Sequence, residues 1–338
     1  MNMSNALFPV EASILSSDAV YSRLLTEYSS KCKISLCRLY YRSIHDTYIV
    51  TADEATFFLK VYRYGFRTKE EIMEEIDALI HLKNCGIFAT LPIEKNDGSF
   101  ITEFNTIQGI RYAVLYSSVG IKSFAELNDT ALFSEKLGKY ISSMHNAWDS
   151  FKQLSCRWQL DTEAFIDASM KQIIDFSSIY VFDVAFLKQV AQKTKAKVNA
   201  LAKRMPEYGI CHGDIYSGNI RLDINDNPIL FDFDFCGYGW RAYDISIFLS
   251  PFNLNPNFSQ IEKTERRKEA FIKGYNSYRV LSNEEIISID LFIPFRRIFN
   301  IGSIYIAMAN TWGDACAIQG INEDIDTLKK WLDANPIL

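Results

Sequence analysis

Imidazole and paired thiols are scarce in this chain. It has 338 residues and only four His; the seven Cys (Cys32, Cys37, Cys85, Cys156, Cys211, Cys236 and Cys316) are odd in number, scattered, and form no C-x-x-C pair. That pattern argues against a zinc site or a disulfide framework and predicts a reducing cytoplasm. Cys211 reads as a small packing residue rather than a nucleophile. No apolar run approaches the ~20 residues that a membrane helix needs; the greasiest stretch, residues 301–309, reads as a short buried helix. Basic residues do not gather into a nucleic-acid footprint: Lys and Arg number 36 against 41 Asp and Glu, for a net charge of −5. The short basic runs at 265–268 and 193–203 read as solvated helix faces. Residues 1–10 lack a basic region followed by an apolar stretch, so no signal peptide is expected. Neither repeats nor low-complexity segments occur. Nucleic acid and membrane are therefore not expected partners.

The composition, 48% hydrophobic and 23% charged, is ample for one large domain or two lobes. Ser16-Ser17-Asp18 reads as a helix start, with Val20, Leu24, Leu25 and Tyr28 as its apolar stripe. Residues 34–41, 47–51 and 55–64 are rich in β-branched and aromatic side chains and predict strands. Thr68 to Glu71 form a capping box for a helix running to about residue 83. Further strands are expected at 87–94, 99–104 and 109–117, with Asn96-Asp97-Gly98 as a hairpin turn. From about residue 120 the periodicity becomes helical, at 130–148, 162–176, 184–204 and 261–278. The expectation is an α+β, bilobal protein. Residues 1–117 would form one lobe with an antiparallel sheet and one inserted helix. Residues 118–338 would form a helical lobe in which one hairpin is the only β insertion. The hinge would lie near 116–121.

That hairpin carries the chemistry. His212-Gly213-Asp214-Ile215-Tyr216-Ser217-Gly218-Asn219 precedes it, and Phe231-Asp232-Phe233-Asp234 follows. Residues 219–224 and 229–235 alternate apolar and polar about the turn Asn225-Asp226-Asn227-Pro228. Folding at that turn sets Ile224 near Pro228, Leu222 near Leu230 and Ile220 near Asp232. Asn219 and Asp232 become cross-strand neighbours with Cβ atoms ~5–8 Å apart. Kinase-type phosphoryl transfer needs such a set: an Asp to accept a hydroxyl proton, and an Asn and a second Asp to hold Mg²⁺. Asp214 is the base, Asn219 and Asp232 the metal ligands, and His212 orients the loop. Asp244 is either an acid in the first turn of a helix or a brace for the catalytic loop, and the two are compatible. Lys60, on an otherwise apolar strand face, needs a partner or a ligand; it is the expected cation for the phosphates. Its acid is sought among Glu70, Glu71, Glu74 and Glu75. Ile72, Ile76, Leu79 and Ile80 define the buried helix face, which places Glu75 on the flank, Glu71 second, and Glu70 and Glu74 pointing away. All four could instead form a solvated acidic face near the helix N-terminus.

These residues resemble the aminoglycoside phosphotransferase/choline kinase-like superfamily. The resemblance runs over essentially the whole chain from Ala19 and is most specific between Cys211 and Asp244. It implies a protein-kinase-like fold with MgATP held between the lobes. The H-G-D-x-x-x-x-N loop falls on His212 to Asn219, the metal Asp on Asp232, the helix-start Asp on Asp244, the nucleotide Lys and its Glu on Lys60 and Glu75, and the central helix on Leu137 to His145. Backbone groups near Leu115 and Ser117 would meet the base of ATP, or of GTP. Two departures stand out. The phosphate loop, residues 41–47, has no Gly, which leaves Ser43 and Thr47 as donors; and Asp234 is acidic where many members are not. The implied activity is transfer of the γ-phosphoryl group to a hydroxyl of a small molecule such as an antibiotic or amino alcohol, with Asp314 and Glu323 as candidate acids for a cationic acceptor. The alternatives are a bacterial Ser/Thr protein kinase with the same site and a non-catalytic nucleotide-binding protein.

Overall fold

Alternating burial builds the sheet of the smaller of two units. The computed structural model describes residues 9–29, 33–53, 55–120, 122–127, 130–152, 154–250 and 258–338; Cys32 and residues 1–8, on which part of the sequence reading falls, lie outside them. One unit runs up to Leu79 and includes Thr90–Ser118; the other comprises Ile80–Ala89 and Val119–Leu338.

In the first unit, α1 (Ser17–Ala19) opens on Ser16, whose hydroxyl oxygen accepts the Ala19 N–H at 3.2 Å. It continues as a π-helical turn, Val20–Leu24, and a 3-10 turn, Leu25–Tyr28. Strands β1 (Ile34–Arg42), β2 (Asp46–Ala52) and β3 (Ala55–Val61) are followed by helix α2 (Lys69–Asn84), of which the part up to Leu79 belongs to this unit, then β4 (Ile101–Thr106) and β5 (Gly109–Ser117). The sheet is antiparallel in the order β1-β2-β3-β5-β4. Along β2 every second side chain is buried. Tyr48 and Val50 there, Leu59 and Val61 on β3, and Ala113 and Leu115 on β5 pack with Val20, Leu24, Leu25 and Tyr28 in one core. Each fully buried aliphatic side chain of this kind contributes roughly 1.5–3 kcal/mol.

Residues 87–94 were expected as a strand but form only isolated bridges, Ala89 to Leu230 and Pro92 to Tyr116. The chain there is extended along the end of β5: Ile93 N–H donates to Leu115 O and Ser117 N–H to Leu91 O, both at 2.8 Å. Pro92, between them, has no N–H to extend a ladder on its other side.

The second unit contains β6 (Lys122–Ser123), α3 (Thr130–Asp149), β7 (Gln159–Leu160), α4 (Ala168–Phe176), α5 (Val184–Asn199), β8 (Tyr208–Cys211), β9 (Ile220–Leu222), β10 (Pro228–Leu230), β11 (Gly237–Trp240), α6 (Arg241–Leu249), α7 (Phe258–Tyr275), α8 (Asn283–Ser288), α9 (Phe292–Phe299), α10 (Ala309–Trp312) and α11 (Asp314–Ala334). Helices α3 and α7 approach so closely that a Cβ on Gly138 would lie 2.2 Å from Phe271 O, and one on Gly274 2.0 Å from Glu135 O. The expectation of a single β insertion is corrected: two small sheets occur, β10-β9-β6 and β7-β11-β8. Their two-residue strands are too short for any periodicity to show. Helix α5 stops at Asn199 rather than 204, ahead of Pro206, which disfavours helical conformation in the residue before it. Residues 301–309 are not a uniformly buried helix. A π-helical turn, Asn300–Ile306, extends α9, and in it only Ile301 and Gly302 are buried.

Candidate active site

The loop after β8 is fixed from below by Asp244, in the first turn of α6. Its Oδ2 accepts the His212 N–H and its Oδ1 the Gly213 N–H, each at 2.7 Å. Oδ2 also lies 3.1 Å from His145 Nε2, while His145 Nδ1 lies 2.8 Å from Tyr275 Oη. A neutral His145 that donates from Nε2 and accepts at Nδ1 satisfies both contacts. Burial, then Arg241 and Arg279, holds its pKa well below the ordinary value. Asp244 is thus both things the sequence allowed, a first-turn acid and a brace. Burial pushes its carboxyl up, against His212 and the two N–H groups.

His212 is fully buried. Its Nδ1 accepts the Asp214 N–H at 3.2 Å, which leaves Nε2 to donate to Phe231 O at 3.2 Å. Both ring nitrogens are spent on backbone, and burial lowers the pKa. The ring thus ties the Asp214 amide to the Phe231 carbonyl. Gly213, at φ +82°, sits where a Cβ would come within 2.3 Å of Phe235 O.

Asn219 donates from Nδ2 to Asp214 Oδ2 at 2.9 Å and to Asp214 O at 3.0 Å. The other carboxylate oxygen, Oδ1, accepts from Arg296 Nη2 at 2.5 Å. Burial raises the Asp214 pKa; Arg296 and Asn219 oppose it, and Asp232 and Asp234 add to it.

The hairpin register differs from the expected one by two residues. Leu222 pairs with Pro228 and Ile220 with Leu230. The cause is Asp223, whose carboxylate accepts the Asn225 and Asn227 N–H groups at 2.8 Å each and so widens the turn. Phe231 N–H donates to Asn219 O at 3.2 Å, so Asp232 follows the residue bonded to Asn219. Residues 233–235 were expected to continue the strand but form a 3-10 turn, because Asp232 is left-handed at φ +60°, ψ +69°. A non-Gly residue held there stores about 1–3 kcal/mol, a feature that concentrates at functional sites. Asp234 is buried within that turn, and its carbonyl accepts from Arg157.

These groups suit a hard cation. With Nδ2 of Asn219 turned to Asp214, its Oδ1 is the acceptor end, and Asp232 adds a carboxylate. All-oxygen donors of this kind fit Mg²⁺ or Ca²⁺ rather than a softer metal.

In the smaller unit, Lys60 Nζ lies 4.0 Å from Glu75 Oε1, and both residues are buried. Tyr116 Oη donates to Glu75 Oε1 at 3.2 Å and Tyr62 Oη to Oε2 at 3.4 Å. Glu71, the second choice, is committed to the capping box with Thr68 and to Arg67. Glu74 is a correction: it is buried rather than pointing away, because the buried arc of α2 is wider than its Ile72-Ile76-Leu79 stripe. The expected loop of residues 41–47 is only a short turn between β1 and β2. Ser43 lies in it, with its N–H donating to His45 O at 3.1 Å; Thr47 belongs to β2 opposite Lys60. Asp46 is ion-paired with Arg111 at 3.0 Å. The Leu115 carbonyl and both backbone groups of Ser117 bind residues 90–93. Asp314 accepts from Tyr180 Oη, and Glu323 is exposed and takes Gln319 Nε2 at 2.8 Å.

Arg296 is the residue that sequence reasoning passed over. The one signal was an Arg-Arg pair at the end of an apolar helix, and only the fold shows that Arg296 meets Asp214 while Arg297 takes Asp324.

With this geometry in place, the sequence pattern of the phosphotransferase enzyme family matches residues 42–281. The chain belongs to that family. Its relatives include the amicoumacin kinase of Bacillus subtilis, 26% identical over 262 residues that cover 75% of each chain. Among solved structures, an amicoumacin kinase in complex with AMP-PNP, Ca²⁺ and Ami superposes with a TM-score of 0.74 at 20% identity, covering 92% of this chain and 94% of that one. A microcompartment-associated aminopropanol kinase does so at 0.72 and 21%, covering 95% and 99%. The fold is protein-kinase-like, and the protein is a phosphotransferase with an alcohol group as acceptor, in the aminoglycoside phosphotransferase/choline kinase-like superfamily. Among the described residues, no helix is long and apolar enough to cross a membrane.

Proposed function

We propose that this phosphotransferase moves the γ-phosphoryl group of ATP to a hydroxyl of a small molecule, an antibiotic or amino alcohol in class, with Asp214 as the base. The observation that carries this reading is the Asp214–Asn219 contact. One amide bonds both the carboxylate and the carbonyl of Asp214, which fixes the carboxylate and turns the amide oxygen toward metal duty. Asn219 and Asp232 would hold Mg²⁺, which when bound offsets charge on the phosphate oxygens. Lys60, braced by Glu75, would bind phosphate oxygens, and Ser43 would donate to them. Leu115 and Ser117 would line the base of ATP or GTP through the chain they anchor.

The step balances simply. The acceptor oxygen forms a bond to the γ-phosphorus and its proton passes to a carboxylate oxygen of Asp214. The bond from the γ-phosphorus to the β,γ-bridging oxygen breaks, and ADP leaves with that electron pair. Most of the acceleration would come from alignment and charge neutralisation rather than from covalent chemistry by the protein.

The test is Mg²⁺-dependent transfer from ATP and GTP to a panel of aminoglycosides, other antibiotics, choline, amino alcohols, homoserine and a generic Ser/Thr protein, with Asp214→Asn as control. Transfer to a small molecule that falls by ~10²–10⁴-fold in that variant supports the reading. Transfer to the protein alone would establish the Ser/Thr kinase alternative. Equal activity in Asp214→Asn would remove Asp214 from the role.

A further inference from the structure

We infer that Arg296 is a positioning residue for the proton-accepting carboxylate: it holds Asp214 in one orientation. The inference rests on the reading of Asp214 as base, but the contact itself does not. Arg296 reaches the loop from α9, 82 residues further along the chain. Its Nη2 donates to Asp214 Oδ1 at 2.5 Å, and its Nη1 donates to Tyr243 Oη at 2.9 Å and Gly213 O at 3.3 Å. The guanidinium carbon also lies 5.6 Å from the Phe235 ring centroid and 5.5 Å from that of Phe299. A planar fork with three oxygen partners and two aromatic neighbours has little freedom to rotate.

Geometry explains why a fixed fork belongs there. Asn219 grips Oδ2 and Arg296 grips Oδ1, so the carboxylate plane is set from both ends, and each oxygen keeps a lone pair for an acceptor hydroxyl.

The experiment compares wild type with Arg296→Lys, Arg296→Gln and Asp214→Asn. MgATP turnover, including hydrolysis to water, is measured by initial rates, and nucleotide affinity by calorimetric titration. We expect kcat to fall ~10²-fold in Arg296→Gln while nucleotide affinity stays within about threefold of wild type, as when a reacting group is misplaced by about 1 Å. Arg296→Lys keeps the charge and loses the fork, so it should recover only part of that loss. Should Arg296→Gln be unfolded, Arg296→Lys decides: a lower kcat at unchanged nucleotide affinity supports the inference. Turnover at or above wild type in either folded variant overturns it. If wild type shows no turnover, the functional reading fails, while a crystal structure of Arg296→Gln still decides whether the Asp214 carboxylate turns once the fork is gone.

Discussion

Asp244 accepts the His212 N–H at 2.7 Å from 32 residues downstream, and by that bond the loop ahead of Asp214 is tied to a helix far along the chain. The same carboxylate takes the Gly213 N–H and faces His145 Nε2. Asp244→Asn keeps the volume but leaves one acceptor oxygen where two served three donors, and it sets an NH₂ against an N–H. A buried donor left unpaired costs about 1–3 kcal/mol. Thermal unfolding should shift down accordingly. Turnover should fall further than stability explains, because the two N–H groups held are those of the two residues leading into Asp214. A variant with full turnover at a temperature where it is folded would show that the loop keeps its shape unaided.

Lys60 and Glu75 should separate binding from scaffold. Lys60→Met removes the cation proposed for the phosphates and should weaken nucleotide binding by roughly 10–100-fold, the range for a lost charged hydrogen bond of about 1.5–3 kcal/mol. Glu75→Gln should do less, since the amide oxygen can still accept from one tyrosine hydroxyl while its NH₂ donates to the other, which keeps α2 in place. Calorimetric titration with ATP in the presence of Mg²⁺ would measure both. Equal losses would mean that Glu75 acts on nucleotide affinity in its own right.

Much of this was legible in sequence, for reasons of period. The stripe Val20, Leu24, Leu25 and Tyr28 was buried as a helical spacing requires, and β2 alternates strictly because one face meets that stripe. The choice of Glu75 followed from helix geometry alone and agrees with the 4.0 Å approach to Lys60. What escaped were features set by single polar atoms. The hairpin register moved by two because the Asp223 side chain captures two amides of the turn, which no alternation pattern encodes. Asp232 entered the left-handed region and ended the strand that the Phe231-Phe233-Phe235 spacing suggested. Arg296 and Asp214 meet only through the packing of α9, so nothing local marked the arginine as part of the site.

Stability should fall in mild acid because of the buried imidazoles. His145 and His212 have pKa values lowered by burial, while in the unfolded chain each titrates near 6.5. Below that pH the unfolded state binds protons that the folded state refuses, so stability decreases as pH falls, by up to about 1.4 kcal/mol per pH unit for each His. Asp214, Asp244 and Asp324 act in the opposite sense, since their carboxyls are raised and the folded state takes their protons first. The His contribution is therefore clearest between about pH 6.5 and 5.5. Denaturant unfolding across that window should show the slope, and His145→Gln should reduce it by one proton's worth. An unchanged slope in that variant would assign the acid sensitivity elsewhere.

Two glycines of the same loop should respond differently to one added methyl. At Gly213 the backbone is left-handed, φ +82°, and a Cβ would meet Phe235 O at 2.3 Å. Neither the conformation nor a backbone oxygen yields cheaply, so Gly213→Ala should cost about 1–3 kcal/mol in strain and pull the His212 and Gly213 N–H groups away from Asp244. At Gly218 the nearest atoms belong to the Tyr216 ring, the closest 2.2 Å away; that side chain is exposed and can swing aside. Gly218→Ala should therefore unfold within a few degrees of wild type and retain turnover, while Gly213→Ala unfolds earlier and loses ~10²-fold, as expected when the groups that align a reaction shift by about 1 Å. Thermal melts and initial rates on both variants make the comparison. Similar losses in the two would mean that loop stiffness in general, and not the fixed turn at Gly213, is what positions the base.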